Sequence, residues 1–265
     1  MQNTRNLQRE NHYLPACYQR GFADEYGKVW VKQTGEEPQY RRPVSVGRLR
    51  NFYIRTVDGV EDDSIETFFS RSVEDGFAGV SQKIKEEGLK FELSGTDLGY
   101  LVRFVATQVV RTMAHKECVD EQAGQSVDRD TYLRVMCRQA LTIINEWLEN
   151  LPTFQFLTPL PLVAHQFITG DNPVLVFTSS TSSISGPPTA SPVKGITNLS
   201  DILRNPNSQF VITLTPYMAV MVGQQRPHTP QVQVSSLDIT STLRLNSLIR
   251  NQCALFTLAR DKESL

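Results

Sequence analysis

The chain has 265 residues, of which 40% are hydrophobic and 21% charged, with a formal net charge of −1. That length suffices to bury a sizeable core and is expected to form a single domain, 1–265. The charge balance argues against whole-molecule attraction to nucleic acid or anionic membrane. With no apolar leader and no run of about 18 apolar residues, a cytoplasmic protein without membrane association is expected.

Val29-Trp30-Val31, flanked by Lys28 and Lys32 after the Tyr26-Gly27 turn, predicts a short strand. Phe52-Tyr53-Ile54 predicts another, ending before Asp58-Gly59. From residue 64 to 87 the period changes. Ile65, Phe68, Phe69, Val73, Phe77, Val80 and Ile84 recur at helical spacing behind a capping Ser64, and Gly88 closes the run. A second helix is expected from Thr96 or Asp97 to about Lys116, apolar enough to be central. A third is expected from Asp128 to Asn150. After Leu151-Pro152 the pattern is strand-like, at 154–157, 164–169, 174–178, 209–215 and 219–223. Residues 179–207, rich in Ser, Thr, Pro and Gly, read as a flexible insertion loop, with room for one helical turn at Leu199–Leu203. A last helix is expected from Ser235 or Ser236 to about Arg250, then a strand over 253–259. The fold class is α+β: a central bundle of three helices packed with a mainly antiparallel sheet from the N-terminal and C-terminal parts.

Several polar residues stand out against this background. His12, in the loop sequence Asn11-His-Tyr-Leu-Pro-Ala-Cys-Tyr18, suits a general base, a metal ligand or an anion donor. The bland alternative is a backbone hydrogen bond that pins the loop. Tyr18 is a candidate ligand contact with aromatic packing as its alternative. Glu66 borders the buried stripe of its helix and needs a partner. Gln108 and Arg111 lie one turn apart on an apolar helix, where a guanidinium must find an anion: Glu66, Asp171 or a ligand. Glu74 reads as solvated, and His115 as a residue near a helix C-terminus. Asp171-Asn172-Pro173 is a fixed polar turn. His165 reads as structural, and His228 as part of a polar loop. The arginines at 41, 42, 48, 50 and 55 form a basic run that is either a ligand face or a solvated loop. Cys17, Cys118, Cys137 and Cys253 lack ligand spacing and read as reduced thiols. No P-loop, GxGxxG, GxSxG or HExxH motif is present.

In their order, His12-Tyr13-Leu14-Pro15 with Tyr18 and Phe22, Val29-Trp30-Val31, Ile65-Glu66 with Glu74, Gln108 with Arg111-Thr112, Ile168 to Pro173, Thr215-Pro216 and Asn246 carry a resemblance. The chain resembles the bacterial family known as domain of unknown function 4238, over nearly its whole length. The resemblance implies no reaction, but it implies that the recurring polar points, His12, Glu66, Gln108, Arg111, Asp171 and Asn172, share a site. Serine is expected at 170 and 215, where this chain has Gly170 and Thr215.

The leading expectation is a metal-dependent phosphodiester hydrolase of nuclease type. His12, Glu66 and Asp171 would be its catalytic groups or the ligands of Mg²⁺ or Mn²⁺. Arg111 would clamp phosphate, with Tyr18, Gln108 and Asn172 as further ligand contacts, and nucleic acid would be the substrate. The alternative is a non-catalytic sensor or interaction protein that binds a small anionic ligand. The third possibility is a polar network that only braces helices and sheet.

Overall fold

The computed structural model describes residues 7–160, 166–178, 199–223 and 232–265. His165, His228 and most of the expected insertion loop lie outside the described residues. The N-terminal part runs β1 (Glu10–His12), α1 (Ala16–Arg20), β2 (Val29–Gln33), β3 (Gln39–Arg41), β4 (Arg48–Arg50), β5 (Arg55–Val57) and β6 (Val60–Asp62). The helical middle holds α2 (Ser64–Phe69), a π turn (Ser70–Glu74), α3 (Asp75–Glu87), α4 (Gly95–Val110), α5 (Met113–Ala123) and α6 (Arg129–Glu149). Then come β7 (Thr153–Pro159), β8 (Thr169–Gly170), β9 (Val174–Phe177), α7 (Leu199–Arg204), β10 (Gln209–Thr215) and β11 (Met218–Gly223). The chain closes with β12 (Val232–Leu237), α8 (Ile239–Gln252) and β13 (Phe256–Ala259).

A five-stranded sheet in the order β12-β7-β11-β10-β9 forms the centre, antiparallel except for the parallel β12–β7 pair. Its strands alternate as a sheet buried on both faces must. Phe210, Ile212 and Leu214 join the main core with the helices α2 to α6, whereas Val211 joins Leu245 and Ile249 of α8 on the other face. A second, antiparallel sheet in the order β3-β2-β13-β8 brings the two ends of the chain together. The α+β class is therefore as expected, but there are seven helices among the described residues rather than three, counting α2 and α3 as one through their π turn.

Four local expectations change, each for a physical reason. In the 64–87 run, Ile65, Phe69, Val73 and Phe77 are spaced by four, and each step of four overshoots a 3.6-residue turn by about 40°. The π turn takes in the surplus residue, so all four side chains stay buried. The second helix breaks at Arg111, which is non-helical (φ −93°, ψ 39°), and Thr112 caps α5 by accepting from the His115 amide. His115 thus lies in the first turn of α5, not near a helix C-terminus, and burial pulls its imidazole down to about 4. Phe52-Tyr53-Ile54 is a turn between β4 and β5: Asn51 sits at φ +56°, and the Tyr53 amide donates to Asn11 Oδ1 at 2.9 Å. Ser235 and Ser236 belong to β12, and Asp238 caps α8 instead.

Tyr18 joins the two sheets. Its hydroxyl donates to the Thr213 carbonyl (2.6 Å) and bonds Thr169 Oγ1 (2.6 Å), with the ring buried against Phe22 and Phe104. Tyr18→Phe keeps the ring but strands both partners, so urea unfolding should show a loss of about 1–2 kcal/mol at an unchanged m-value.

Candidate functional site

The segment 11–20 is a strap across the molecule. In β1, His12 stands opposite Arg48 of β4. The Tyr13 and Leu14 amides both donate to the Gly47 carbonyl, at 3.0 and 3.2 Å. Gly47 is at φ +63°, and a Cβ there would lie 2.7 Å from Leu14 Cβ, so this turn admits only glycine. Gln19 Nε2 donates to the carbonyls of Leu14 and Val46, which closes the strap on the 43–47 loop.

Beneath the strap lies Arg111, a fully buried guanidinium. The helix break turns it inward, where every nitrogen is engaged. Its Nε donates to Tyr53 Oη (2.6 Å), its Nη1 to Glu74 Oε1 (2.6 Å) and its Nη2 to the His12 carbonyl. Glu66 Oε2 is 3.8 Å from Nη2, an ion pair without a hydrogen bond. The Phe69 ring packs on the guanidinium with its centroid 4.3 Å from Cζ. Glu74, at the end of the π turn, is thus the principal anion of the cluster rather than a solvated residue. Burial raises the Glu66 carboxyl to about 7, against the pull of Arg111.

The His12 ring bonds the 43–45 segment, while its carbonyl serves Arg111. Its Nε2 is 3.1 Å from the Val44 carbonyl; that oxygen can only accept, so Nε2 carries the proton and Nδ1 the lone pair. Burial holds the imidazole below its ordinary value, partly offset by this bond. Cys17, nearby on the strap, is pushed up to about 12 by burial and by Glu74, so it is no nucleophile at neutral pH.

Asp171 belongs elsewhere. Its two oxygens accept from the amides of Leu255 (3.0 Å) and Phe256 (3.3 Å), and its own amide donates to the Phe256 carbonyl. It therefore caps the start of β13; burial raises its carboxyl and these bonds oppose the rise. Asn172 is buried beside it. Gly170 faces Cys253, and a Cβ at this position would lie 2.3 Å from Cys253 Sγ, which explains why serine does not fit in this chain. Asn246 clamps the same turn, accepting from the Ile168 amide and donating to the Gln166 carbonyl. Gln108 is fully buried, and its amide has no hydrogen-bond partner among the described residues.

Of the sequence-derived set, Arg111 thus gathers Glu66 and the His12 backbone, while Tyr18 and Asp171 serve the sheets. Among the described residues no three His, Cys, Asp or Glu side chains converge closely enough to hold a metal ion, so His12, Glu66 and Asp171 do not form a common ligand set.

An open cleft of about 410 Å³ adjoins the strap, between the end of the second sheet and the 43–48 loop. Tyr13, Arg41, Ser45, Arg48, Val46 and Phe256 are among its walls. The basic run in the sequence pointed here, but two of its members are diverted. Arg55 pairs with Asp62 at 2.6 Å, and Arg48 shares an exposed pair with Glu10 at 3.2 Å. Among the described residues Arg41 bonds only Gln39, a neutral amide.

These features define an α+β protein in which a buried Arg–Glu brace underlies a basic surface cleft. The sequence matches the family described as "Protein of unknown function (DUF4238)" over residues 10–263, and the chain belongs to that family. No curated protein and no solved structure matches it. Among the described residues no helix is long and apolar enough to cross a membrane, and all four cysteines are free.

Two outcomes test the brace. Arg111→Met should cost about 3–5 kcal/mol in urea unfolding, because it leaves two half-buried carboxylates and the His12 carbonyl without their donor. Glu66 makes stability depend on pH. Its folded pKa is raised, so the contribution is fully present below the unfolded carboxyl value near 4.3 and is lost as pH rises through about 7. Glu66→Gln should flatten this fall, by up to about 3 kcal/mol between pH 4.5 and 8; an unchanged pH profile of unfolding would contradict it.

Proposed function

We propose that this protein binds a small anionic ligand in the cleft beside the strap, with Arg41 and Arg48 as its cationic contacts. One observation carries the reading: two arginines, from β3 and β4, line the same solvent-reachable cavity, whereas Arg111 is enclosed and fully engaged. A volume of about 410 Å³ falls in the range of sites for small organic molecules. Guanidinium groups recognise phosphate or carboxylate by paired donors. The Arg48–Glu10 pair is exposed on both sides and contributes at most about 1 kcal/mol, so an incoming anion readily replaces it. Tyr13 supplies a further wall, fixed through its backbone to Gly47.

A second reading is phosphodiester hydrolysis in the same cleft, and His12 favours it. Directly opposed residues of an antiparallel pair project to the same side, so His12 and Arg48 flank one another, and the neutral imidazole keeps Nδ1 free as a base. In this reading Arg48 holds the phosphate and His12 accepts a proton from the attacking water as its oxygen bonds phosphorus; the P–O bond to the departing alkoxide breaks, and solvent protonates that oxygen. The expected result is cleavage of an oligonucleotide, assayed with and without Mg²⁺ or Mn²⁺, that falls at least about 100-fold in His12→Gln. Wild-type inertness towards DNA, RNA and nucleotides would leave binding as the function.

For binding itself, thymidine 5′-monophosphate and inorganic phosphate are the first probes. Calorimetric titration should show saturable binding that weakens at least about tenfold in Arg41→Gln and in Arg48→Gln, with circular dichroism unchanged. No thermal stabilisation by any such anion up to about 10 mM would contradict the reading.

A further inference from the structure

The cleft does not end at the strap. A second cavity, of about 180 Å³, is bordered by Lys32, Arg250, Cys253 and Thr257, and Gln33, Thr34 and Phe256 border both cavities. Side chains alternate along β2, so Val31 and Gln33 face one side of the sheet and Lys32 the other. The register agrees, with Gln33 opposite Phe256 and Lys32 opposite Thr257. The two cavities therefore lie on opposite faces of the second sheet and meet around its end, where Thr34 and Gly35 (φ +80°) turn the chain.

Each cavity brings its own pair of cations. Arg41 and Arg48 line the larger, Lys32 and Arg250 the smaller. Lys32 is exposed and has no ion pair among the described residues. Arg250 donates one bond from Nη2 to the Ser264 carbonyl (2.6 Å) and has no carboxylate partner among the described residues. Two adjoining cationic cavities, joined across a polar rim of Gln33 and Thr34, match a ligand with two anionic groups on one flexible backbone. A bare phosphate would fill one end only, and a pyrophosphate, its two phosphorus atoms joined through one oxygen, is too short to reach around the strand end.

We propose that the ligand is a short single-stranded oligonucleotide, with one phosphate at Arg41 and Arg48 and the next at Lys32 and Arg250. This rests on the anion-binding reading of the larger cleft and adds the second phosphate position. No covalent step is involved. The second contact raises affinity because it is made by a ligand already held at the first.

The test compares thymidine 5′-monophosphate with a 5′-phosphorylated thymidine dinucleotide, by calorimetric titration of the full chain. The wild-type protein should bind the dinucleotide at least about tenfold more tightly. Lys32→Gln should remove that advantage and leave monophosphate affinity unchanged, whereas Arg41→Gln should weaken both. Equal affinities for the two probes, or an advantage that survives Lys32→Gln, would overturn the two-phosphate site while leaving the cleft reading intact. Failure of both probes to bind would overturn both. Because Lys32 is exposed, its substitution leaves folding out of the comparison.

Discussion

A guanidinium sealed inside a protein has to be satisfied by that protein, and Arg111 organises its surroundings on that condition. It draws one contact from each of four places: the strap through the His12 carbonyl, the 51–53 turn through Tyr53, the π turn through Glu74, and α2 through Glu66. One side chain thus ties these four elements together. The break between α4 and α5 is needed to aim the side chain inward, and the π turn brings Glu74 to it while keeping the helix stripe buried. Desolvating such a charge is expensive, so the network is a source of specificity more than of net stability.

The same logic extends along the strap. Tyr18 carries it to the sheets through Thr169 and Thr213, and Asp171 and Asn246 fix the 166–172 segment to β13 and α8. Tyr18, Asp171 and Asn246 are thus occupied with backbone groups. The strap presents Tyr13 to the cleft, with its backbone held by Gly47, Gln19 and Arg111.

The periodic elements were legible: the 64–87 helix, α6, β7, β10 and the terminal strand follow from apolar spacing in the sequence. The helix break at 111–112 was not, because Arg111 and Thr112 sit in a run whose apolar frequency continues unbroken to Val110; only the capping ability of Thr112 marked it. Tyr53 reads as a strand residue because its neighbours are apolar, while the turn depends on Asn51 adopting a left-handed conformation. For Arg111 the sequence offers Glu66, Asp171 or a ligand anion as partner. Glu74, beside Asp75, reads as solvated in the sequence, and the register that turns it inward depends on a π turn. Asp171 shows the converse limit: its turn was legible, but its distance from Arg111 depends on how two sheets pack. The cleft shows in the sequence only as a run of arginines, since it closes only when Ala254, Leu255 and Phe256, from the far end of the chain, pack beside the N-terminal residues Tyr13, Val31 and Ser45.

The account stands on Arg111 and Glu74 acting as one buried unit that holds the strap rather than as a ligand clamp. The most direct measurement is a double-mutant cycle of Arg111→Met and Glu74→Gln, read as unfolding free energy in urea. The brace predicts a coupling of about 2–3 kcal/mol between the two positions, with anion binding in the cleft lost only as the strap loosens. Additive effects within about 0.5 kcal/mol, in a variant that stays folded but no longer binds anions, would contradict it and return Arg111 to the ligand site.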